Sequence, residues 1–266
     1  MTGVVRSEAS AAQLAELGIN SLRVDLDRQQ LPPGATRGED VFYLAPPPAD
    51  GERDVRMQRF LEGLTDSGQP RRILYVSTTG VYGDCHGEWV DESRPAHPQV
   101  DRARRRWHAE QLLRQWREDV GGELVILRVA GIYGPGRLPL ARLQKNLPMV
   151  AEADAPWTNR IHVDDLVEAC LLAMQRGVDG EVYNACDGNP GNMTDYFNRV
   201  ADLAGLPRPP LVDLDQARDS LSPGMLSYLA ESRRLSNRKL REQLGVELRY
   251  PTLDEGLPAC FAADDT

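Results

Sequence analysis

The sequence predicts an α/β fold built on a doubly wound parallel sheet, and three observations predict it. Short apolar runs alternate with helical patterns along most of the chain, as in successive βαβ units. The run from Ile73 to Val76 is apolar at consecutive positions, as a strand covered on both faces requires. That run ends in Ser77, Thr78 and Thr79 and turns through Val81, Tyr82 and Gly83, so hydroxyls reach the carboxyl end of a strand, where open α/β sheets bind ligands.

Each element follows from local pattern. Val4 and Val5 close a first strand, and Glu8 to Leu17 is a helix stopped by Gly18. Ser21 to Val24 is a strand running into Asp25 and Asp27, and Val41 to Ala45 is another. The latter ends at Pro46, Pro47 and Pro48, which can continue neither a ladder nor a helix. Val55 to Leu64 is helical, Ile73 to Val76 is a strand, Val100 to Trp116 a helix, Leu124 to Val129 a strand, Val163 to Met174 a helix and Val182 to Ala185 a strand. After about Gly136 prolines become frequent, with helices predicted at Met193 to Ala204, Met225 to Glu231 and Asn237 to Leu244. Residues 1–136 therefore read as a sheet domain and 137–266 as a mixed substrate-binding lobe, with 159–186 returning to the sheet. A lobe laid over the carboxyl edge of the sheet would close a cleft above Thr78.

Composition narrows the function. A chain of 266 residues suffices for one large α/β domain with a lobe. A 41% hydrophobic and 27% charged content is that of a globular protein, and no apolar stretch approaches the ~20 residues of a membrane span. The first residues lack a signal-peptide pattern, which predicts a cytoplasmic protein. Four scattered cysteines and four histidines without ligand spacing predict no disulfide framework and no metal site. A net charge of -9 argues against a nucleic-acid surface, and the partner implied is a small molecule.

Four segments occur in an ordered series: VFYLAPPP at 41–48, VSTTGVYG at 76–83, LRVAGIYGPGR at 127–137 and NRIHVDDLVEA at 159–169. On these the chain resembles the extended short-chain dehydrogenase/reductases, the NAD-dependent epimerase/dehydratase group, in an atypical branch. The resemblance implies a Rossmann-like sheet, NADP or NAD as cofactor, a nucleotide-sugar or related substrate, and a homodimer for which the helix from Val100 to Trp116 could serve. It makes Thr78 the catalytic hydroxyl, with Thr79 beside it, because a hydroxyl both donates to and accepts from a substrate oxygen.

Three departures qualify that resemblance. The Tyr and Lys of the family's acid/base pair fall on Arg102 and Arg106. A guanidinium can bind an anion but cannot exchange a proton near neutrality. The run Arg102 to Arg106 reads first as a solvated helix face and second as an anion site facing the cleft, and Asp84, Glu88 and Tyr133 are candidates to replace the lost base. Thr79 and Gly80 stand where the sugar 4,6-dehydratases carry Asp-Glu, so that reaction is not implied. The amino-terminal strand and glycine-rich turn that cradle a pyrophosphate are also missing, and the segment from Thr2 to Ser7 matches the family's second strand. The expectation is a natural start upstream, with roughly thirty further residues, the size of the βα portion of a βαβ unit.

Further contacts follow from the resemblance. Arg6 and Ser7 would meet the 2'-phosphate of NADP, Arg6 reading equally as a solvated loop residue; Asp25 and Leu26 would border the adenine and Leu44, Ala45 and Pro46 the ribose, with Ser77 also on the cofactor. Tyr82, Tyr133, Arg137 and Arg160 would contact the substrate, the arginines through its phosphates. His162 reads as a structural hydrogen-bonding residue and Asp164 and Asp165 as the start of a helix. The functions left open are an atypical NAD(P)-dependent oxidoreductase or epimerase, a non-catalytic NAD(P) or metabolite binder that has lost the Tyr/Lys pair, and a truncated product that does neither.

Overall fold

The computed structural model of the protein describes residues 1–64 and 68–262. Four parallel strands form the main sheet: β3 (Asp40–Tyr43), β4 (Arg72–Thr78), β5 (Glu123–Val129) and β8 (Val182–Ala185), in the order β8-β5-β4-β3. β4 lies inside it, Tyr75 paired with Tyr43 on one side and with Ile126 on the other. The strand runs two residues past the apolar run that predicted it and ends on Thr78, which is paired with Val129.

Side-chain alternation explains the layers. Ile73 and Tyr75 face α2 (Val55–Glu62) and α3 (Asp101–Val120), packing with Met57, Phe60, Leu113 and Trp116. Leu74 and Val76 face α5 (Val163–Arg176) and α9 (Arg238–Leu244), packing with Leu166, Leu172 and Leu240. Both faces of β4 are covered, which is why its sequence is apolar without interruption. Asp54 starts α2 by accepting hydrogen bonds from the backbone N–H groups of Arg56 and Met57, and Gly121 ends α3 in the left-handed conformation.

β1 (Thr2–Val5) and β2 (Asn20–Arg23) form a separate parallel pair, with α1 (Glu8–Glu16) between them in sequence. Gly3 lets α1 approach closely, since a Cβ there would lie 2.4 Å from Leu14 Cδ1. Among the described residues no strand pairing joins β1 to β3.

Beyond β5 the chain forms β6 (Gly131–Tyr133), which pairs in parallel with β7 (Arg160–His162) and places Arg160 opposite Gly131. The lobe packs α4 (Leu140–Gln144), α6 (Met193–Leu203) and α10 (Leu253–Ala262) around Leu143, Met149, Phe197 and Leu257. Two further helices, α7 (Leu214–Ser220) and α8 (Pro223–Leu229), flank it, α8 opening with Ser222 as cap and proline in its first turn. α4, α7 and α10 are absent from the sequence reading; the first two are too short for a periodic signal, and α10 contains Gly256 and Pro258, which read as breakers. No helix among the described residues is long and apolar enough to cross a membrane.

Candidate functional site

A cavity of about 700 Å³ lies at the carboxyl ends of β4 and β5, between the sheet and the lobe. Val76 to Gly80 and Val129 to Gly131 form the sheet side, and Arg102, Ala103 and Arg106 of α3 form a flank. Tyr196 of α6, Tyr228 of α8, Glu231 and Arg233 come from the lobe side.

Thr78 is half-buried on this wall, as its position at a strand end predicts. Its Oγ1 accepts the Gly80 N–H at 3.2 Å, starting the 3-10 turn Thr79–Tyr82, so the hydroxyl proton is left to donate into the cavity. Thr79 is buried on the same wall. Ser77 also borders the cavity, but its hydroxyl donates to Glu110 Oε1 at 2.6 Å. Glu110 in turn holds Arg128 through two hydrogen bonds of 3.1 and 2.8 Å in a fully buried network. Ser77 can thus offer a cofactor only its oxygen as acceptor, since its proton is committed to Glu110.

Arg102 and Arg106 both line the cavity, one helical turn apart. The reading of the whole run as a solvated face is corrected by its geometry. Arg104 does face outward, to Glu52 and Asp101, and Arg105 is buried with its guanidinium on the Gly51 carbonyl. Arg102 lies 4.1 Å over the Tyr228 ring and 3.8 Å from Glu231. Arg106 donates to the Val76 carbonyl at 3.1 Å and the Tyr75 hydroxyl at 3.4 Å.

Among the predicted substrate residues, Arg160 is on the wall, 4.2 Å over the Tyr196 ring. Burial pulls its guanidinium below the usual arginine value. Three others are not there. Tyr82 is buried under the turn and donates to Asn184 Oδ1 at 2.8 Å, and burial pushes its phenol up to about 12. Tyr133 has no exposed surface, stands edge-on to His162, and packs so closely on Gly256 that a Cβ there would meet its hydroxyl at 2.0 Å. Arg137 is exposed in the turn after β6, away from the cavity. Tyr82 and Tyr133, which the resemblance set against the substrate, pack in the core.

The other predicted cofactor contacts follow the carboxyl ends of β1, β2 and β3, off the cavity wall. Ser7 is exposed, caps α1 and accepts from Ser10 N. Asp25 Oδ1 accepts from Asp27 N, and the carbonyls of Leu26 and Pro46 accept from Arg59 and Arg56. Arg6 is largely exposed, 3.8 Å from Asp27, and Leu44 is exposed beside half-buried Ala45; Pro47, two residues past Ala45, does reach the cavity.

None of the proposed replacement bases lines the cavity. Asp84 accepts from the backbone of His86 and Ser232, and Glu88 pairs with Arg94. His162 caps α5 through Nδ1 and is held below its usual value by burial, as a structural residue should be, while Asp164 and Asp165 occupy the first turn. Glu231 and Arg233 escaped the sequence reading. Their carboxylate and guanidinium meet at 3.0 Å, and Arg233 also donates to the Gly83 carbonyl at 2.7 Å. No periodicity marks them, since they sit in an irregular segment after α8.

The sequence profile of the NAD dependent epimerase/dehydratase family matches residues 46–186, more than half of the chain. Protein YeeZ of Escherichia coli K12 is 29% identical over 219 residues, covering 79% of this chain and 71% of its own. A functionally unknown conserved protein from Silicibacter pomeroyi superimposes with a TM-score of 0.84 at 34% identity, over 100% of this chain and 90% of that one. UDP-glucose 4-epimerase from Thermotoga maritima, solved with UDP-glucose, shares the fold with a TM-score of 0.73 at 21% identity over the whole of both chains. With the Thr78 turn at the end of an interior parallel strand and these matches across it, the chain belongs to the NAD dependent epimerase/dehydratase family.

Proposed function

We propose that this protein is an NAD(P)-dependent oxidoreductase of the epimerase type, acting on a nucleotide sugar or a related small molecule held above Thr78. One observation carries the reading: a hydroxyl with its proton free to donate stands on the wall of a large cavity at the carboxyl edge of a parallel sheet. The residues present fit the nicotinamide end of the dinucleotide. Pro47 and Val76 to Thr78 offer one wall, and the small residues Gly80, Ala130 and Gly131 leave room for a flat ring. When bound, the cofactor would supply hydride transfer. Thr78 would orient the reacting oxygen, and the exposed Arg6 favours the extra phosphate of NADP.

The test is turnover of a nucleotide-sugar panel with NADP and NAD, alongside direct cofactor titration of the full chain. Thr78→Ala should lower kcat by about 10²-fold or more, as for loss of one donor to a reacting oxygen, with cofactor affinity kept. Turnover that survives the substitution unchanged would remove Thr78 from the reaction.

A second reading, a non-catalytic NAD(P) or metabolite binder, is favoured by Arg102 and Arg106 at the places of the family's Tyr and Lys. The phenols of Tyr196 and Tyr228 and the carboxylate of Glu231 are the other groups on the wall, and both tyrosines already pack on arginines. Tight cofactor binding without turnover of any substrate would select this reading.

A further inference from the structure

Of the eight tyrosines, six are buried and Tyr250 is half-buried, whereas Tyr228 is 52% exposed. α8 carries Met225 and Tyr228 three residues apart, on one face of the helix, and both line the cavity above Thr78. The Tyr228 ring packs on Arg102, while its hydroxyl has no hydrogen-bond partner among the described residues. Phenylalanine would serve that packing equally well, since a cation also sits on its ring face. The hydroxyl is the part of the side chain that packing leaves unused.

Arg102 stands on α3 where the family's tyrosine would be, its guanidinium 4.1 Å from the centre of the Tyr228 ring. It also donates to Ser227 Oγ, so two adjacent residues of α8 are held against this point of α3. The reactive hydroxyl is close to the same point: a Cβ on Gly80 would lie 3.5 Å from Thr78 Oγ1 and 3.6 Å from Ala103 Cβ. A phenol and a fixed cation therefore meet on the wall that carries Thr78, the phenol brought by the lobe and the cation by α3. The guanidinium cannot exchange a proton near neutrality, whereas a phenol can give one up and take it back. Tyr196 also lies on an arginine, but it is 7% exposed and burial pushes its phenol up, against ionisation.

We propose that Tyr228 is the proton donor and acceptor of the reaction, supplied by the lobe in place of the tyrosine that α3 lacks. The inference rests on the reading of the Thr78 cavity as the site of an NAD(P)-dependent oxidoreductase. In the reducing direction Tyr228 gives its hydroxyl proton to a substrate carbonyl oxygen as hydride from the reduced dinucleotide reaches the carbon. The C=O π pair becomes the new O–H bond and the hydride pair the new C–H bond, so the substrate is reduced and the dinucleotide oxidised. The phenolate left on Tyr228 faces Arg102, whose charge is permanent. Oxidation of an alcohol runs the same transfers backwards.

Tyr228→Phe keeps the ring on Arg102 and removes only the hydroxyl. With the nucleotide-sugar panel and NADP or NAD, this variant should lose about 10²-fold or more in kcat, while KM stays within about twofold. Calorimetry with NADP as the binding probe should give parent and variant the same affinity. Tyr250→Phe, outside the cavity, should match the parent throughout. The parent's kcat should carry a limb against pH that Tyr228→Phe lacks, a change that loosening of the α8 contact would not make. In the apo protein tetranitromethane, which nitrates accessible phenols, should modify Tyr228 ahead of the other tyrosines. Turnover by Tyr228→Phe equal to the parent's overturns the inference and leaves the proposed function standing. Slow nitration of Tyr228 in the apo protein overturns it as well, because the phenol would then be closed off from the cavity. A parent that binds NADP and turns over no substrate removes the oxidoreductase reading and this inference with it.

Discussion

Glu110 has no exposed surface, accepts the Ser77 hydroxyl, and pairs with Arg128, itself almost fully buried between α3 and β5. Removing one member of such a pair strands the other, at about 3–5 kcal/mol. Glu110→Ala should therefore lower the Tm by roughly 10 °C. A change within 2 °C, on the order of an ordinary surface substitution, would mean the pair is dispensable. Asp187 is the reverse case. Its carboxyl is buried, one oxygen accepts from Asn189 N, the other has no partner among the described atoms, and burial pushes it up to about 7. The folded state thus keeps this proton after the unfolded chain has released it, so stability should fall as pH rises from about 4 to about 7 and then level off. Urea unfolding at both ends of that window should show a flatter dependence in Asp187→Asn, and an unchanged slope would assign the effect elsewhere.

At the scale of elements, the turn after β4 shows how a strand end becomes a site. Thr78 caps the 3-10 turn, and Gly83 leaves it at φ 70°, a conformation other residues reach at a cost of about 1–2 kcal/mol. The backbone there also passes so close to His97 that a Cβ would lie 2.3 Å from its carbonyl oxygen. Gly83→Ala should destabilise the protein beyond that conformational cost and displace the Thr78 hydroxyl, and chemical denaturation together with probe binding would reveal both. Full stability in the variant would show that the turn can re-form around a side chain. The hydroxyl run and the glycine are legible in sequence, because a strand end and a positive-φ turn are local events. The contact with His97 is not, since it depends on how a loop 14 residues later folds back.

Across the whole molecule, the strands differ in how thoroughly they are protected. β4 and β5 are buried along nearly their full length and paired on both sides, whereas β1 and β2 form a two-stranded pair with half or more of their residues exposed. Two-stranded sheets hold little stability of their own. Native-state hydrogen exchange should accordingly open β1 and β2 well below the free energy that opens β4 and β5. Equal protection in the two sets would contradict this ordering.

The sequence by itself determined the parallel α/β class, the order of the principal strands and helices, the hydroxyl at the end of β4, and arginines at the positions of the family's Tyr and Lys. Each depends on residues a few positions apart, where strand and helix periodicities act. Only the tertiary structure decided which side chains share the cavity: Arg233 meets the turn at Gly83 from 150 residues away, and Tyr82 and Tyr133 turn into the core instead. Cavity walls come from segments brought together by burial, and no local pattern records which of their side chains will face one another.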